Sequence, residues 1–367
     1  MTKREQVQQD ALDIAFKHKR CGLGISMGVG KTLIGLKYID HFEGLIKKAR
    51  VLIVAPKLSI FDSWKSDAEK FNIDISNVEF TTYLSLNKKT ATDYDLLVLD
   101  ECHSLLYSHH AFLGMFTGRI LGLTGTPPRH FKSEKGEMVA KYCPIVFKYI
   151  TDSAVEDDIL NDYRIIVHRM SLSRENNIPV KLKDKSFYTS ETKNYAYWTQ
   201  RIMDATTKKQ EQIASIMRMK ALMDFRTKEE YAKQLVLEIE DKCIIFCNTQ
   251  DQADRLCKHS YHSNNPDSED NLENFKQGKI DYLSCVLQLN EGVNIPELKV
   301  GIIMHAYGNE RKSSQRIGRL LRLNPDDTAT IHILCYKDTV DDRWVTEALK
   351  DFDQSKIKYF DVDDTSR

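Results

Sequence analysis

Gln315-Arg316-Ile317-Gly318-Arg319-Leu320-Leu321-Arg322 sets three arginines around a glycine late in a chain of 367 residues. Far upstream, Gly28-Val29-Gly30-Lys31-Thr32 places a lysine behind two glycines and ahead of a helical run, the arrangement of a phosphate-binding loop. A single-domain phosphate binder has little use for a second cationic wall near its C-terminus. A machine that closes two lobes on a triphosphate needs one, because arginines brought to the far side stabilise the charge that develops in phosphoryl transfer. The two stretches together therefore predict a two-lobed α/β protein that hydrolyses ATP.

The chain between and around them agrees. Apolar runs of strand length occur at Val51–Ala55, Leu96–Leu99, Ile120–Leu123, Ile244–Phe246, Val300–Met304 and Ile331–Leu334, with helical stretches between. Short continuous apolar strands alternating with helices indicate parallel sheets covered on both faces. They fall into two sets, which predicts a first domain over residues 1–150 and a second over 151–367. A different region, about 171–233, separates the sets. Its first part, with Asn176-Asn177-Ile178-Pro179 at the centre, reads as a protruding hairpin, and Arg201 to Phe225 reads as one long charged helical stretch with a solvated face.

Composition excludes little but narrows the partner. Hydrophobic residues make up 41% and charged residues 29%, and Lys+Arg and Asp+Glu both number 53, so any polyanion must be met by a local groove rather than by net charge. Eight cysteines lack Cys-x-x-Cys spacing, and those in Cys243-Ile-Ile-Phe-Cys247 read as buried thiols. With no signal peptide or membrane-length apolar run, a cytoplasmic protein is expected.

Several stretches carry chemistry. In the phosphate loop, Gly28, Val29 and Gly30 offer backbone N–H groups, Lys31 reaches the terminal phosphates and Thr32 supplies a hydroxyl to Mg2+. The first glycine of the usual eight-residue loop pattern is replaced by Ile25. Leu96-Leu97-Val98-Leu99-Asp100-Glu101-Cys102-His103 is a buried strand delivering two acids at its carboxyl end. Asp100 is assigned to the metal and Glu101 to the attacking water, although acids there also cap helices. His103 reads as a coupling contact. Ile120 to Pro128 is a strand that stops at Thr124 and Thr126, hydroxyls suited to link the acid pair to a moving lobe.

The order MGVGKT, VLIVAP, DECH, LTGTPP, NEGVNIPE, QRIGRLLR resembles that of superfamily 2 helicases and translocases. It is most similar to the group holding Swi/Snf-like motors, the excision-repair helicase and phage recombination helicases, and Pro56, Trp64 and Phe71 resemble that group's next motif. The resemblance implies two tandem RecA-like domains with parallel sheets and an ATP cleft between them, with ATP and Mg2+ as cofactors. It assigns Gln315, Arg319 and Arg322 to the γ-phosphate from the second lobe. It assigns Gln8 to adenine, with Gln6 and Gln9 as competitors. For nucleic acid it implies Lys57, Thr82, Tyr83, Asn248, Thr249, Gly292 and Asn294. These residues also read as turn or cap formers, and Gly292 and Asn294 as nucleotide sensors. The activity expected is an ATP-dependent DNA helicase or translocase on duplex or branched DNA. An RNA helicase and the motor subunit of a restriction or remodelling assembly remain as alternatives.

Overall fold

The computed structural model describes residues 1–128, 130, 132–181, 186–286, 295, 298–306, 327–350 and 352–362. They form two units, one of residues up to Asp162 together with Asp327, and the other of the remaining residues from Tyr163.

The first unit runs α1 (Lys3–Phe16), β1 (Arg20–Ile25), α2 (Lys31–Leu45), β2 (Val51–Ala55), α3 (Ser59–Lys70), β3 (Val78–Thr82), β4 (Leu96–Asp100), α4 (His110–Met115), β5 (Arg119–Thr124), α5 (Glu134–Tyr142), β6 (Ile145–Tyr149) and α6 (Thr151–Glu156). Its strands lie in the order β3-β2-β4-β5-β1-β6, with every neighbouring pair parallel. Burial follows position in the sheet. Central β2 and β4 are wholly buried, whereas the edge strands β3 and β6 are mostly half-exposed. Leu52, Val54, Leu97 and Leu99 project from the central strands into a core with Phe112, Phe116 and Tyr142. α1 starts on a capping box, in which the Thr2 hydroxyl accepts from the Glu5 N–H while the Glu5 carboxylate accepts from the Thr2 N–H.

The second unit contains β7 (Asp162–Met170), β8 (Ile178–Lys181), β9 (Ser186–Thr189), α7 (Glu191–Met203), α8 (Lys208–Asp224), α9 (Arg226–Glu238), β10 (Cys243–Cys247), α10 (Gln250–Leu256), β11 (Ser260–Tyr261), α11 (Ser268–Lys276), β12 (Tyr282–Val286), β13 (Val300–Ile303), β14 (Thr328–Tyr336), α12 (Val340–Leu349) and β15 (Ile357–Val362). Seven strands order as β11-β12-β10-β13-β14-β7-β15, and β8 with β9 makes a separate antiparallel hairpin. The charged stretch expected to be one helix from Arg201 to Phe225 is instead broken after Met203. Thr207 caps α8 by accepting from the Gln210 N–H at 3.2 Å, the alternative that a threonine offers to a continuing helix. All eight cysteines are free thiols, seven of them buried. No helix among the described residues is long and apolar enough to cross a membrane.

Two buried polar groups shape this second sheet. Lys228, at 0% exposure, directs Nζ to the Met304 carbonyl at 3.2 Å, His305 Nδ1 at 2.8 Å and the Asp341 carboxylate, with the Tyr336 ring 4.8 Å away. On adjacent strands, His168 Nε2 lies 2.8 Å from His332 Nδ1, and His168 Nδ1 lies 2.8 Å from the Tyr231 hydroxyl. Burial lowers both imidazoles from the ordinary value near 6.5 to about 4, and at His332 the neighbouring His168 and Arg164 disfavour charge further. Between those two values the unfolded chain binds more protons than the folded one, so stability rises with pH across that window. The pair's contribution is thus whole above about pH 6.5 and is lost as pH falls towards about 4. Thermal melts from pH 7 down to 4 are expected to show a falling midpoint, and His332→Phe is expected to flatten that slope; an unchanged slope would remove the pair as its source.

Candidate nucleotide site and nucleic-acid edge

The first unit gathers its chemistry at the carboxyl ends of its strands. Register places Ala55 level with Thr82, Asp100 with Leu123, and Gly24 with Thr124, so β3, β2, β4, β5 and β1 all end at one edge. Ligands in open α/β sheets bind at this edge because side chains and helix N-termini converge there.

After β1 the chain turns through Gly28 at φ 86° and Gly30 at φ 104°, both in the region that an L side chain rarely adopts. Gly30 then stands as the left-handed N-cap of α2, so the loop leads straight into the helix end where the dipole favours an anion. A Cβ on Gly30 would also meet Gln8 Nε2 at 2.7 Å. Lys31 and Thr32 open α2, and the Lys31 ammonium lies against Gly125, where an added Cβ would be 3.2 Å away. Gln8 is buried and donates Nε2–H to the Val29 carbonyl at 2.8 Å. Gln6 and Gln9 instead bond Asp10 and Asp13 along the exposed side of α1. Of the three glutamines, only Gln8 turns to the loop.

The acid pair sits one strand beyond β5. Asp100 Oδ1 accepts the Glu101 N–H at 2.9 Å, and Oδ2 accepts the Trp64 indole N–H at 2.8 Å. Gly35 on α2 leaves room for the fully buried indole, since a Cβ there would lie 2.4 Å from the ring. Glu101 turns out of the strand at φ 49°, ψ 54°, a left-handed conformation uncommon for glutamate and of a kind that clusters at functional sites. Its Oε2 lies 3.2 Å from His103 Nδ1 and accepts from the Thr124 hydroxyl at 3.5 Å. His103 Nδ1 is in turn 2.7 Å from Thr124 Oγ1 and 3.4 Å from Thr126 Oγ1, so the imidazole links both threonines to the acid, which Thr124 also reaches directly. Cys102 faces inward, where hydrogen bonding to Cys143 and burial hold its thiol well above the ordinary range. It is a packing thiol.

Along the same edge, Lys57 is exposed just beyond β2, and Thr82 is half-exposed at the end of β3. Tyr83 turns inward: its hydroxyl donates to the Asp100 carbonyl at 2.8 Å, and burial with the nearby thiols and acids holds the phenol well above its ordinary value. The Tyr83 ring therefore supports the acid strand from beneath and does not face solvent. In the second unit, Thr249 caps α10 by accepting from the Gln252 N–H at 3.2 Å, and the Asn248 N–H donates to Gln252 Oε1 at 3.1 Å. The Asn248 carboxamide is buried, yet among the described residues neither its Nδ2 nor its Oδ1 has a hydrogen-bond partner. Buried polar atoms left so are uncommon and ask for a ligand or water. Gly292, Asn294, Gln315, Arg319 and Arg322 lie outside the described residues.

Residues 2–85 match the family described as type III restriction enzyme, res subunit, and residues 227–324 match the helicase conserved C-terminal domain. The two matches span the phosphate loop and the QRIGRLLR stretch in the order the motifs require. These two matches support placing the chain among the superfamily 2 helicases and translocases. It is accordingly a nucleic-acid-dependent ATPase built on tandem RecA-like domains. A curated relative, the DNA 3'-5' translocase XPB2 of Sulfurisphaera tokodaii, is 25% identical over 92% of this chain and 82% of its own length. Among solved structures, the Type ISP restriction-modification enzyme LlaBIII bound to DNA aligns over 100% of the chain at TM-score 0.65 and 14% identity, and the chain spans 32% of that protein. A putative HsdR subunit fragment of a type I restriction enzyme from Vibrio vulnificus aligns over 98% of the chain and 68% of its own length, at TM-score 0.61 and 17% identity. At such identities the likeness is one of fold.

Two residues at this site carry no sequence signal of their role. Arg4 touches the phosphate loop from α1, and Trp64 holds the acid through its indole N–H. The first is one charge among many in Thr-Lys-Arg-Glu-Gln, and the second, though it stands in a stretch that resembles a family motif, has nothing beside it that announces its bond to Asp100.

Proposed function

We propose that this protein is an ATP-dependent DNA translocase or helicase acting on duplex or branched DNA. The observation that carries the proposal is the meeting of the glycine loop, Lys31, Asp100 and Glu101 at the carboxyl edge of one sheet, in a chain related along most of its length to a protein named a DNA translocase.

The residues present fit ATP and Mg2+. Gly28, Val29, Gly30 and the start of α2 suit phosphates, with Lys31 beside them, while the Thr32 hydroxyl and the Asp100 carboxylate are the hard oxygen donors that Mg2+ takes alongside substrate phosphates. Bound there, Mg2+ would neutralise charge developing on the phosphates. Glu101, beside His103 and Thr124, is proposed to receive a proton from water. Gln8, bonded to the phosphate loop at Val29, is assigned to adenine in this reading. Gln315, Arg319 and Arg322 complete the γ-phosphate site in this reading.

Lys57 and Thr82 at the sheet edge, and Asn248 and Thr249 after β10, are proposed to meet the nucleic-acid backbone, with Gly292 and Asn294. The unpartnered carboxamide of Asn248 favours such a ligand. Tyr83 is proposed to act at one remove, joining that edge to Asp100. Eight free thiols favour the reducing cytoplasm.

ATPase rates measured across duplex DNA, forked DNA, single strands and RNA test the proposal. Duplex or forked DNA is expected to stimulate more strongly than RNA; the reverse ranking would make the protein an RNA helicase. The restriction-subunit family matched by residues 2–85 favours a second reading, a motor subunit of a restriction assembly. Copurification with a nuclease or specificity subunit would support it.

A further inference from the structure

Arg4 lies on the face of α1 that carries Gln8, half-buried beside the phosphate loop. Its Nε donates to the Val29 carbonyl at 3.1 Å and its Nη2 to the Gly28 carbonyl at 3.1 Å. Gln8 donates to that same Val29 carbonyl, and a Cβ on Gly30 would sit 3.3 Å from Arg4 Nη2. Three donors from one helix thus grip two successive carbonyls of a loop whose flanking glycines both have positive φ.

A phosphate loop works through its N–H groups, which must point together at the anion before it arrives. Peptide groups are planar, so fixing a carbonyl fixes the N–H of the next residue on the opposite side. Holding the Gly28 and Val29 carbonyls therefore aims the Val29 and Gly30 N–H groups. Two carbonyls in sequence call for a planar fork of donors, which a guanidinium has and an ammonium lacks. Conformational freedom removed beforehand is not lost again on binding, so a loop held in this way binds phosphate more tightly.

We infer that Arg4 is a positioning residue of the nucleotide site, a fork that pre-organises the phosphate loop through the Gly28 and Val29 carbonyls and so strengthens binding of any nucleoside di- or triphosphate, whatever its base. The inference rests on the reading of Gly28 to Thr32 as the phosphate site. Adenine recognition is assigned elsewhere, to Gln8, and Arg4 leaves it untouched.

Calorimetric titration with ADP, ATP and GDP tests the assignment. Arg4→Ala is expected to weaken all three by about the same factor, on the order of tenfold, the scale of one charge-assisted hydrogen bond. Arg4→Lys keeps the charge but not the fork, and is expected to stay close to Arg4→Ala. Three results would overturn the assignment: unchanged affinities in Arg4→Ala, a loss confined to the adenine nucleotides, or full recovery in Arg4→Lys. Lys31→Ala, titrated alongside, keeps the two readings apart. If it binds ADP and ATP as the parent does, the phosphate-loop reading fails; if it loses them while Arg4→Ala does not, only the Arg4 assignment fails.

Discussion

Glu101→Gln lowers ATP turnover by about 10²–10⁴-fold, the span that positioned general bases contribute, while nucleotide affinity stays close to the parent's. The amide has the shape of the carboxylate and still accepts from the Thr124 hydroxyl, so the local packing survives. What it cannot do is take a proton. The parent side chain is held ready for that transfer, with its backbone turned left-handed at φ 49°, the residue 8% exposed and its Oε2 3.2 Å from His103 Nδ1. A left-handed glutamate costs conformational energy that a capping acid has no reason to bear. Steady-state ATPase rates, with calorimetric binding of ATP to the same variant, give both numbers. Turnover within tenfold of the parent would mean that another residue activates the water.

The second large effect belongs to stability. Lys228→Met is expected to destabilise the second unit by about 3–5 kcal/mol, because it leaves the Asp341 carboxylate buried without its cation. Burial already pushes that carboxyl upward, with Lys228 pulling the other way, and its Oδ1 has no hydrogen-bond partner among the described residues. The pair itself is not expected to add much over an apolar replacement, since taking both charges out of water costs about what their attraction returns. Lys228→Met combined with Asp341→Leu is therefore expected to recover most of the loss. Urea unfolding of the parent, both single variants and the double variant closes the cycle. A double variant as unstable as the worse single one would show that Lys228 is held by its contacts to Met304 and Tyr336 rather than by the ion pair.

Which elements are legible in the sequence follows from where they sit. Val51–Ala55 appears in the structure with the bounds its apolar run predicts, and Leu96–Leu99, Ile120–Leu123, Ile244–Phe246 and Ile331–Leu334 grow by one to a few residues at their ends. These strands are covered on both faces, so nearly every position must be apolar. β3, Val-Glu-Phe-Thr-Thr, and β15, Ile-Lys-Tyr-Phe-Asp-Val, are edge strands with one neighbour and exposed positions, and their composition reads as loop or helix equally well.

The site divides similarly. Glycines at positive φ and a strand ending in two acids are local features, and local features are written in adjacent letters. The grip of Arg4 on Gly28, or of Trp64 on Asp100, joins residues brought together only by the fold, and nothing beside either residue announces its partner. Tyr83 is the sharpest case. Its place after Thr82 at a sheet edge suggests an outward contact, and only its burial against Asp100 shows the opposite.

β7 leaves one further consequence, in the timing of folding. It is the first strand of the second sheet to leave the ribosome, yet it lies between β14 and β15, the last two to be made. Through synthesis of almost the whole second unit its backbone donors and acceptors wait for partners at both sides. Pairing of that kind is slow, because the chain must close its longest loop before any of these contacts forms. An unpaired nine-residue strand is also an invitation to the wrong neighbour. Slowed elongation or a shortage of chaperones should therefore harm the second unit more than the first, whose β1 and β6 come together long before the chain is finished.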